Sequence, residues 1–93
     1  DLSSPKKFEL MNAYPNPFNP STVIRYEIPV RSTVTLKVFN ILGNEITTLV
    51  NGIQESGVQS VRFEPEDRLS SGVYFFRLQA GNLVETRKII LQR

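Results

Sequence analysis

Apolar side chains recur at every second position along several stretches of the chain. The clearest stretches are 24–28, 34–38, 61–63 and 74–78, where Ile, Val, Leu, Tyr or Phe occupies alternate positions. A period of two turns one face of a β-strand toward a core and the other toward water. No stretch shows the three-to-four-residue spacing of an amphipathic helix. The pattern therefore predicts a chain built from half-buried strands.

Short turn-forming segments separate these stretches, because glycine and asparagine tolerate the backbone angles that turns need. The turn segments are Pro29–Ser32, Leu42–Asn44, Asn51–Gly52, Ser56–Gly57, Ser70–Gly72 and Gly81–Asn82. They leave seven predicted strands, at 8–12, 22–28, 33–40, 45–50, 58–64, 73–80 and 83–91. Short strands at this spacing favour an all-β fold, an immunoglobulin-like antiparallel β-sandwich. We expect residues 1–7 to be a linker tail from an upstream domain and 8–93 to be the sandwich.

Two aromatic side chains, Phe39 and Phe75, fall at alternate positions that should face outward. They indicate either an error in the register of the alternation or an exposed apolar patch. In the second case the patch is a candidate docking surface.

Tyr74 follows the turn at Ser70–Gly72 and begins a late strand, which is the position of a tyrosine corner in a sandwich. We expect its phenol to donate a hydrogen bond to upstream backbone near Arg68 or Leu69, with the ring in the core. An aromatic platform for a sugar is disfavoured, since the chain has no Trp and the alternation buries this ring.

The segment Tyr14–Thr22 contains three prolines within six positions. Each proline lacks a backbone donor and has a fixed φ, so the segment cannot be an interior strand. We expect a stiff rim that crosses between sheets or blunts a sheet edge, with Phe18 as an apolar plug. The alternative is a docking surface for a partner.

The chain ends in an apolar run with basic residues on both sides, Thr86–Arg93. One interpretation is an edge strand whose charges discourage aggregation between sheets. The other is a terminal tag that another protein reads.

The length of 93 residues suits one domain and leaves no room for a second core. The chain has 11 Lys+Arg against 9 Asp+Glu, and a dispersed net charge of +2 predicts no nucleic-acid partner. No apolar run is long enough to span a bilayer. The N-terminal residues lack the apolar region of a signal peptide, so we expect any export signal to lie upstream.

Histidine and cysteine are both absent from the sequence. Without them the chain alone cannot build a Ser-His-Asp triad, a Cys-His dyad, or a zinc or haem site based on these ligands. Glu64, Glu66 and Asp67 could ligate Ca²⁺ through oxygen, but they match no EF-hand spacing and favour a solvated acidic loop. We expect no enzyme, no cofactor and no metal site.

Five segments, taken in order, resemble a known family. They are Tyr14–Thr22, Ile24–Tyr26, Val38–Gly43, Ser71–Tyr74 and Thr86–Lys88. Their sequences YPNPFNPST, IRY, VFNILG, SGVY and TRK are similar to those of type A C-terminal sorting domains of type IX secretion substrates. That family overlaps with the immunoglobulin-like domain of flagellar hook-capping proteins. The resemblance spans about residues 8–93.

The resemblance implies a function that composition does not show. Such domains end exported proteins of certain Gram-negative bacteria and are recognised by the outer-membrane secretion machinery after transit through the periplasm. A sortase-like surface protease then removes the domain and attaches the cargo to the cell surface. The resemblance therefore implies an upstream cargo domain in the same polypeptide and a final location at the cell surface or outside the cell.

Motif positions indicate two groups of candidate partner-recognition residues and one structural group. The first recognition group is Pro15, Asn16, Pro17, Phe18, Asn19 and Pro20. The second is Arg87, Lys88, Ile89, Ile90, Leu91, Gln92 and Arg93. The structural motif is Gly43, Gly72 and Tyr74. We expect a partner to add a strand to exposed backbone of the last strand, with the basic side chains of the second group steering the encounter.

Two other functions remain open at this point. One is a structural or cell-attachment module, similar to the hook-cap domain, that stays on the mature protein. The other is a carbohydrate-binding accessory module, in which Tyr14 or Phe39 would contact a glycan. Genomic context would identify the first and retention by glycans the second, since a fold alone decides neither.

Overall fold

Seven strands and no helix make up the structure, a computed structural model that describes residues 7–65 and 69–93. The strands are β1 (Glu9–Leu10), β2 (Thr22–Ile28), β3 (Ser32–Asn40), β4 (Glu45–Gln54), β5 (Gly57–Phe63), β6 (Gly72–Ala80) and β7 (Leu83–Leu91). The expectation of an all-β antiparallel sandwich is confirmed. Within the described ranges, no helix is long and apolar enough to cross a membrane.

The strands form two antiparallel sheets, one ordered β1-β2-β5 and the other β4-β3-β6-β7. We call the larger one the four-stranded sheet.

Different turns and strand ends form the two ends of the sandwich. Residues 29–31, 55–56 and 81–82, together with the start of β1, form the entry end. The β3–β4 turn at 41–44, residues 69–71 and the end of β7 form the distal end.

The core consists of the alternate side chains that the sequence pattern predicted. The buried apolar residues on the long strands are Ile24, Tyr26, Ile28, Val34, Leu36, Val38, Phe63, Tyr74, Phe76, Leu78, Ala80, Ile89 and Leu91. Leu10, Ala13 and Phe18 add to them from the N-terminal part of the chain. Burial also raises the pKa of the Tyr26 phenol, because the charged form is poorly solvated in the core.

The predicted turn at Asn51–Gly52 is wrong. These residues lie inside β4 and pair with Thr35 and Val34 of β3. The long β3 offers pairing positions as far as Ser32, so antiparallel hydrogen bonding overrides the local preference of Asn-Gly for a turn. Strand β1 is also shorter than predicted, covering only two residues of the 8–12 range.

Tyr74 forms the expected tyrosine corner. Its buried phenol donates to the upstream carbonyl of Ser70 at 2.7 Å, next to the predicted Leu69. Arg68 lies outside the described residues. Tyr74 is the third residue of β6, so the turn before the strand brings the Ser70 carbonyl within reach of the phenol. Gly72 has a φ of +151°, which favours glycine at this point of the turn.

Candidate functional site

Phe18 anchors the proline-containing segment in the core. Its side chain is only 1% exposed, and its ring centroid lies 5.8 Å from that of Phe63 with the planes tilted by 51°. This distance is typical of a favourable aromatic pair. The apolar plug that the sequence predicted is therefore present, and Phe18 is not available as a surface contact.

The same segment is joined to the last strand by hydrogen bonds. The Phe18 N–H donates to the Ile90 carbonyl at 2.9 Å, and the Gln92 N–H donates to the Phe18 carbonyl at 3.0 Å. The Asn16 side chain adds two more bonds: its Nδ2 donates to the Lys88 carbonyl at 3.3 Å, and its Oδ1 accepts from the Ile90 N–H at 3.0 Å. We call Asn16, Phe18 and the stretch 88–92 the clasp.

The clasp occupies the outer edge of β7 where strand addition was expected. The Lys88 carbonyl, both backbone groups of Ile90 and the Gln92 N–H already have partners within the domain. A strand edge can template a new strand only through free backbone donors and acceptors. The expectation of exposed backbone is therefore wrong for the Lys88 carbonyl, Ile90 and the Gln92 N–H, which the other predicted recognition segment covers.

Asn16→Ala is expected to lower the free energy of unfolding by about 1–2 kcal/mol, since it removes two hydrogen bonds to β7. Urea unfolding followed by circular dichroism measures the change. Asn19→Ala is the matched control, because Asn19 is an exposed asparagine of the same segment. We expect it to change stability by less than about 0.5 kcal/mol. Equal effects of the two substitutions would show that Asn16 does not fasten the clasp.

The side chains of the C-terminal segment point in two directions. Ile89 and Leu91 are buried in the core. Arg87 is exposed but reaches toward β1: its Nε donates to the Leu10 carbonyl at 2.8 Å and its Nη1 to Asn12 Oδ1 at 3.1 Å. Lys88 is exposed on the outer face of the four-stranded sheet, opposite Phe75. Lys88 is exposed together with Arg87, Gln92 and Arg93.

The last residue, Arg93, is folded back onto the loop before β6. Its N–H donates to Ser71 Oγ at 2.9 Å, and its Nε donates to the Leu69 carbonyl at 2.6 Å. These bonds hold the tail against the distal end.

Strand β1 has its outer edge capped by side chains of β7. The Leu10 N–H donates to Glu85 Oε1 at 2.7 Å, and the Leu10 carbonyl accepts from Arg87. Both backbone groups that a neighbouring strand would use are thereby satisfied. Sequence reasoning missed this closure, because Glu85 and Leu10 are 75 positions apart. The only signal in the sequence was the pair Glu85 and Arg87, two charged residues that lie two positions apart on the core-facing side of β7.

The prolines and Asn19 form the exposed surface of the segment. Pro15, Pro17, Asn19 and Pro20 are all exposed, and Tyr14 before them is 81% exposed. The Pro15 carbonyl accepts from Thr22 Oγ1 at 2.7 Å, which ties this surface to the start of β2.

Phe39 and Phe75 lie side by side on the outer face of the four-stranded sheet. They are cross-strand partners between β3 and β6, and both are half-buried. Their neighbours Val38 and Phe76 are buried, so the alternation contains no register error. The Arg77 guanidinium lies 4.6 Å from the Phe39 ring centroid, within the range of a cation–π contact, and partly covers it.

The acidic residues considered as calcium ligands fall partly outside the described structure. Glu66 and Asp67 belong to the residues that are not described, and Glu64 forms an ion pair with Arg62 at 3.0 Å. Across the described part of the chain, no group of three or more acidic, histidine or cysteine side chains is placed to hold a metal ion.

The fold and the clasp define a small immunoglobulin-like β-sandwich in which the two distinctive sequence segments form one unit. Residues 12–92 match the family described as the secretion system C-terminal sorting domain. The match covers most of the chain, and the protein belongs to this family of type IX secretion sorting domains. No curated protein and no solved structure matches the chain.

Membership in this family has direct consequences for function. The domain is a C-terminal sorting signal for type IX secretion, and the protein that contains it is exported. The type IX machinery recognises the domain, and its cargo lies in the same polypeptide. The family also suggests a non-catalytic role.

Proposed function

We propose that this domain acts without catalysis, as a folded recognition surface for the outer-membrane machinery of type IX secretion. The machinery meets the domain in the periplasm, after the whole protein has crossed the inner membrane. A sortase-like surface protease then separates domain and cargo, and the cargo stays at the cell surface or is released. Residues 1–7 serve as the linker to the cargo.

The observation that supports this proposal is the clasp. The family match includes both the proline-containing segment and the C-terminal strand, and these meet only in the folded domain. Phe18, Ile89 and Leu91 are buried, so these three hold the shape of the surface rather than contact the machinery. The exposed members of the two predicted groups remain the candidate contacts: Pro15, Asn16, Pro17, Asn19, Pro20, Arg87, Lys88, Gln92 and Arg93.

The test is a fluorescent reporter that carries an inner-membrane export signal at its N-terminus and residues 1–93 at its C-terminus. It is produced in a host with type IX secretion and in a strain that lacks the translocation machinery. We expect the reporter to reach the surface or the medium only in the competent strain. Circular dichroism of the purified fusion establishes that the domain is folded.

Retention of a folded reporter in the periplasm of both strains would contradict the proposal. Such a result would instead favour a structural module that remains attached to the mature protein. Surface delivery without cleavage would leave recognition intact and overturn only the step assigned to the protease.

A further inference from the structure

The β3–β4 turn exposes two large aliphatic side chains at the distal end of the sandwich. Ile41 is 70% exposed and Leu42 is 81% exposed. Turn positions are usually occupied by small or polar residues, which have no apolar surface to hide from water. Two adjacent aliphatic side chains at the tip of a turn are therefore an apolar surface without a partner in the described domain.

Hydrogen bonds to Asn40 hold this tip in one conformation. Asn40 Oδ1 accepts from the N–H of Leu42 and the N–H of Asn44, both at 3.0 Å. The backbone adds bonds from the Gly43 N–H to the Asn40 carbonyl at 2.9 Å and from the Asn40 N–H to the Asn44 carbonyl at 3.0 Å. Gly43 supplies the φ of +86° that closes the turn. A preorganised tip loses little conformational entropy when it binds.

Shallow apolar hollows lie on both sides of the tip. One, of about 260 Å³, is lined by Phe39, Phe75 and Ile41 among other residues of the outer face. The other, of about 250 Å³, lies between the tip and the start of β6, where Val73 and Tyr74 contribute to its wall. The tip and the aromatic pair therefore form one continuous apolar surface, which we call the distal patch: Phe39, Ile41, Leu42 and Phe75.

Two basic side chains flank the aromatic pair of the distal patch. Lys88 lies across from Phe75 on the same face, and Arg77 stacks on Phe39. The acidic residue beside the patch, Glu45, is paired with Lys37 at 3.2 Å. This contact and a hydrogen bond from Thr48 hold the pKa of Glu45 below its usual value, so Glu45 stays ionised and paired with Lys37. A partner that fits the patch presents an apolar socket with acidic side chains at its rim.

The position of the patch separates it from the cargo. The chain enters at β1, beside Glu27 near the entry end, whereas the tip lies beyond Asn40 at the other end of β3. Strand β3 has nine residues, so the two ends are about 27 Å apart at the usual rise of a strand. Other exposed aliphatic residues, Val30, Ile53 and Val58, lie at the entry end, on the side where the chain enters β1.

We propose that the Ile41–Leu42 tip is the anchor that the secretion machinery receives, in an apolar, acid-rimmed socket of an outer-membrane component. The inference rests on the proposed function and deepens it by naming the contact surface. The clasp holds β7 in place, and β7 presents Lys88 next to the patch. The clasp supports recognition through the fold, and the distal patch adds an anchoring contact to those of the exposed prolines and Lys88.

The test compares three forms of the reporter fusion in the secretion-competent strain. These are the unchanged domain, Ile41→Ser/Leu42→Ser, and the control Ile53→Ser/Val58→Ser, whose side chains are each 60% exposed at the entry end. All four side chains are largely exposed, so we expect all three domains to fold with similar thermal midpoints. Export of the tip variant is expected to fall at least tenfold, with the control at the level of the unchanged domain.

Normal export of the tip variant would overturn the inference while leaving the sorting function in place. Loss of export by the unchanged domain would overturn the proposed function itself, so the two failures are distinguishable.

A photoreactive amino acid at position 42 of an otherwise unchanged domain gives a second readout that does not depend on the folding of the serine variant. We expect it to crosslink to an outer-membrane component of the machinery. Crosslinking to a second reporter copy instead would show self-association and overturn the inference.

Discussion

Phe18→Ala is expected to lower the free energy of unfolding by about 3–5 kcal/mol, the usual cost of truncating a buried phenylalanine. The ring is 1% exposed and packs against Phe63, so the substitution leaves a cavity at the distal end. Small domains have total stabilities of about 5–15 kcal/mol, so the variant is expected to lose a large part of its stability. Urea unfolding monitored by circular dichroism measures the effect.

Tyr14→Ala provides the matched control for this substitution. Tyr14 is an aromatic residue of the same proline-containing segment, but it is 81% exposed. We expect its truncation to change stability by less than about 0.5 kcal/mol. If the two alanine variants unfolded at the same urea concentration, Phe18 would not be the residue that anchors the segment.

Removal of Ile89–Arg93 is expected to abolish cooperative unfolding. The deletion takes two buried aliphatic side chains from the core, each worth about 2–5 kcal/mol, and it removes the β7 half of the clasp. The loss is comparable to the whole stability of a domain of this size. We expect a thermal melt without a transition and the loss of the near-ultraviolet circular dichroism signal. We expect the deletion to abolish sorting as well, because the folded surface is lost.

Arg93→Ala distinguishes the loss of the core from the loss of terminal charge. It removes the bond from Arg93 Nε to the Leu69 carbonyl and leaves Ile89 and Leu91 in place. We expect a cooperative transition within about 1–2 kcal/mol of the unchanged domain. A deletion variant that melted as sharply as Arg93→Ala would mean that the last five residues are not part of the core.

The layout of the strands was predictable because apolar side chains at alternate positions of a strand all lie on the face that packs against the core. The residues that alternate in 24–28, 34–38 and 74–78 are the ones that the structure buries. Phe18 could also be identified, since a large apolar side chain between prolines has few alternatives to the core. The Asn51–Gly52 turn was mistaken because the length of pairing along β3 depends on tertiary contacts and not on local preference.

The contacts between distant parts of the chain could not be predicted from local pattern. The bonds of Asn16 join residues more than 70 positions apart, and nothing in either segment specifies the other. For the same reason the C-terminal strand was expected to offer a free edge, which the clasp covers from Lys88 to Gln92. The sequence marked Leu42–Asn44 as a turn, but the exposure of Ile41 and Leu42 follows from the Asn40 bonds, which only the structure shows.

The central claim is that the machinery recognises a folded domain and not a linear tail. The most direct measurement compares export of a reporter that ends in residues 1–93 with export of the same reporter ending in residues 83–93 alone. The short form keeps Arg87, Lys88 and Arg93 but has neither the clasp nor the distal patch. We expect export of the complete domain only. Equal export of both reporters would show that the last strand is read as an extended peptide, which would contradict recognition of a folded domain.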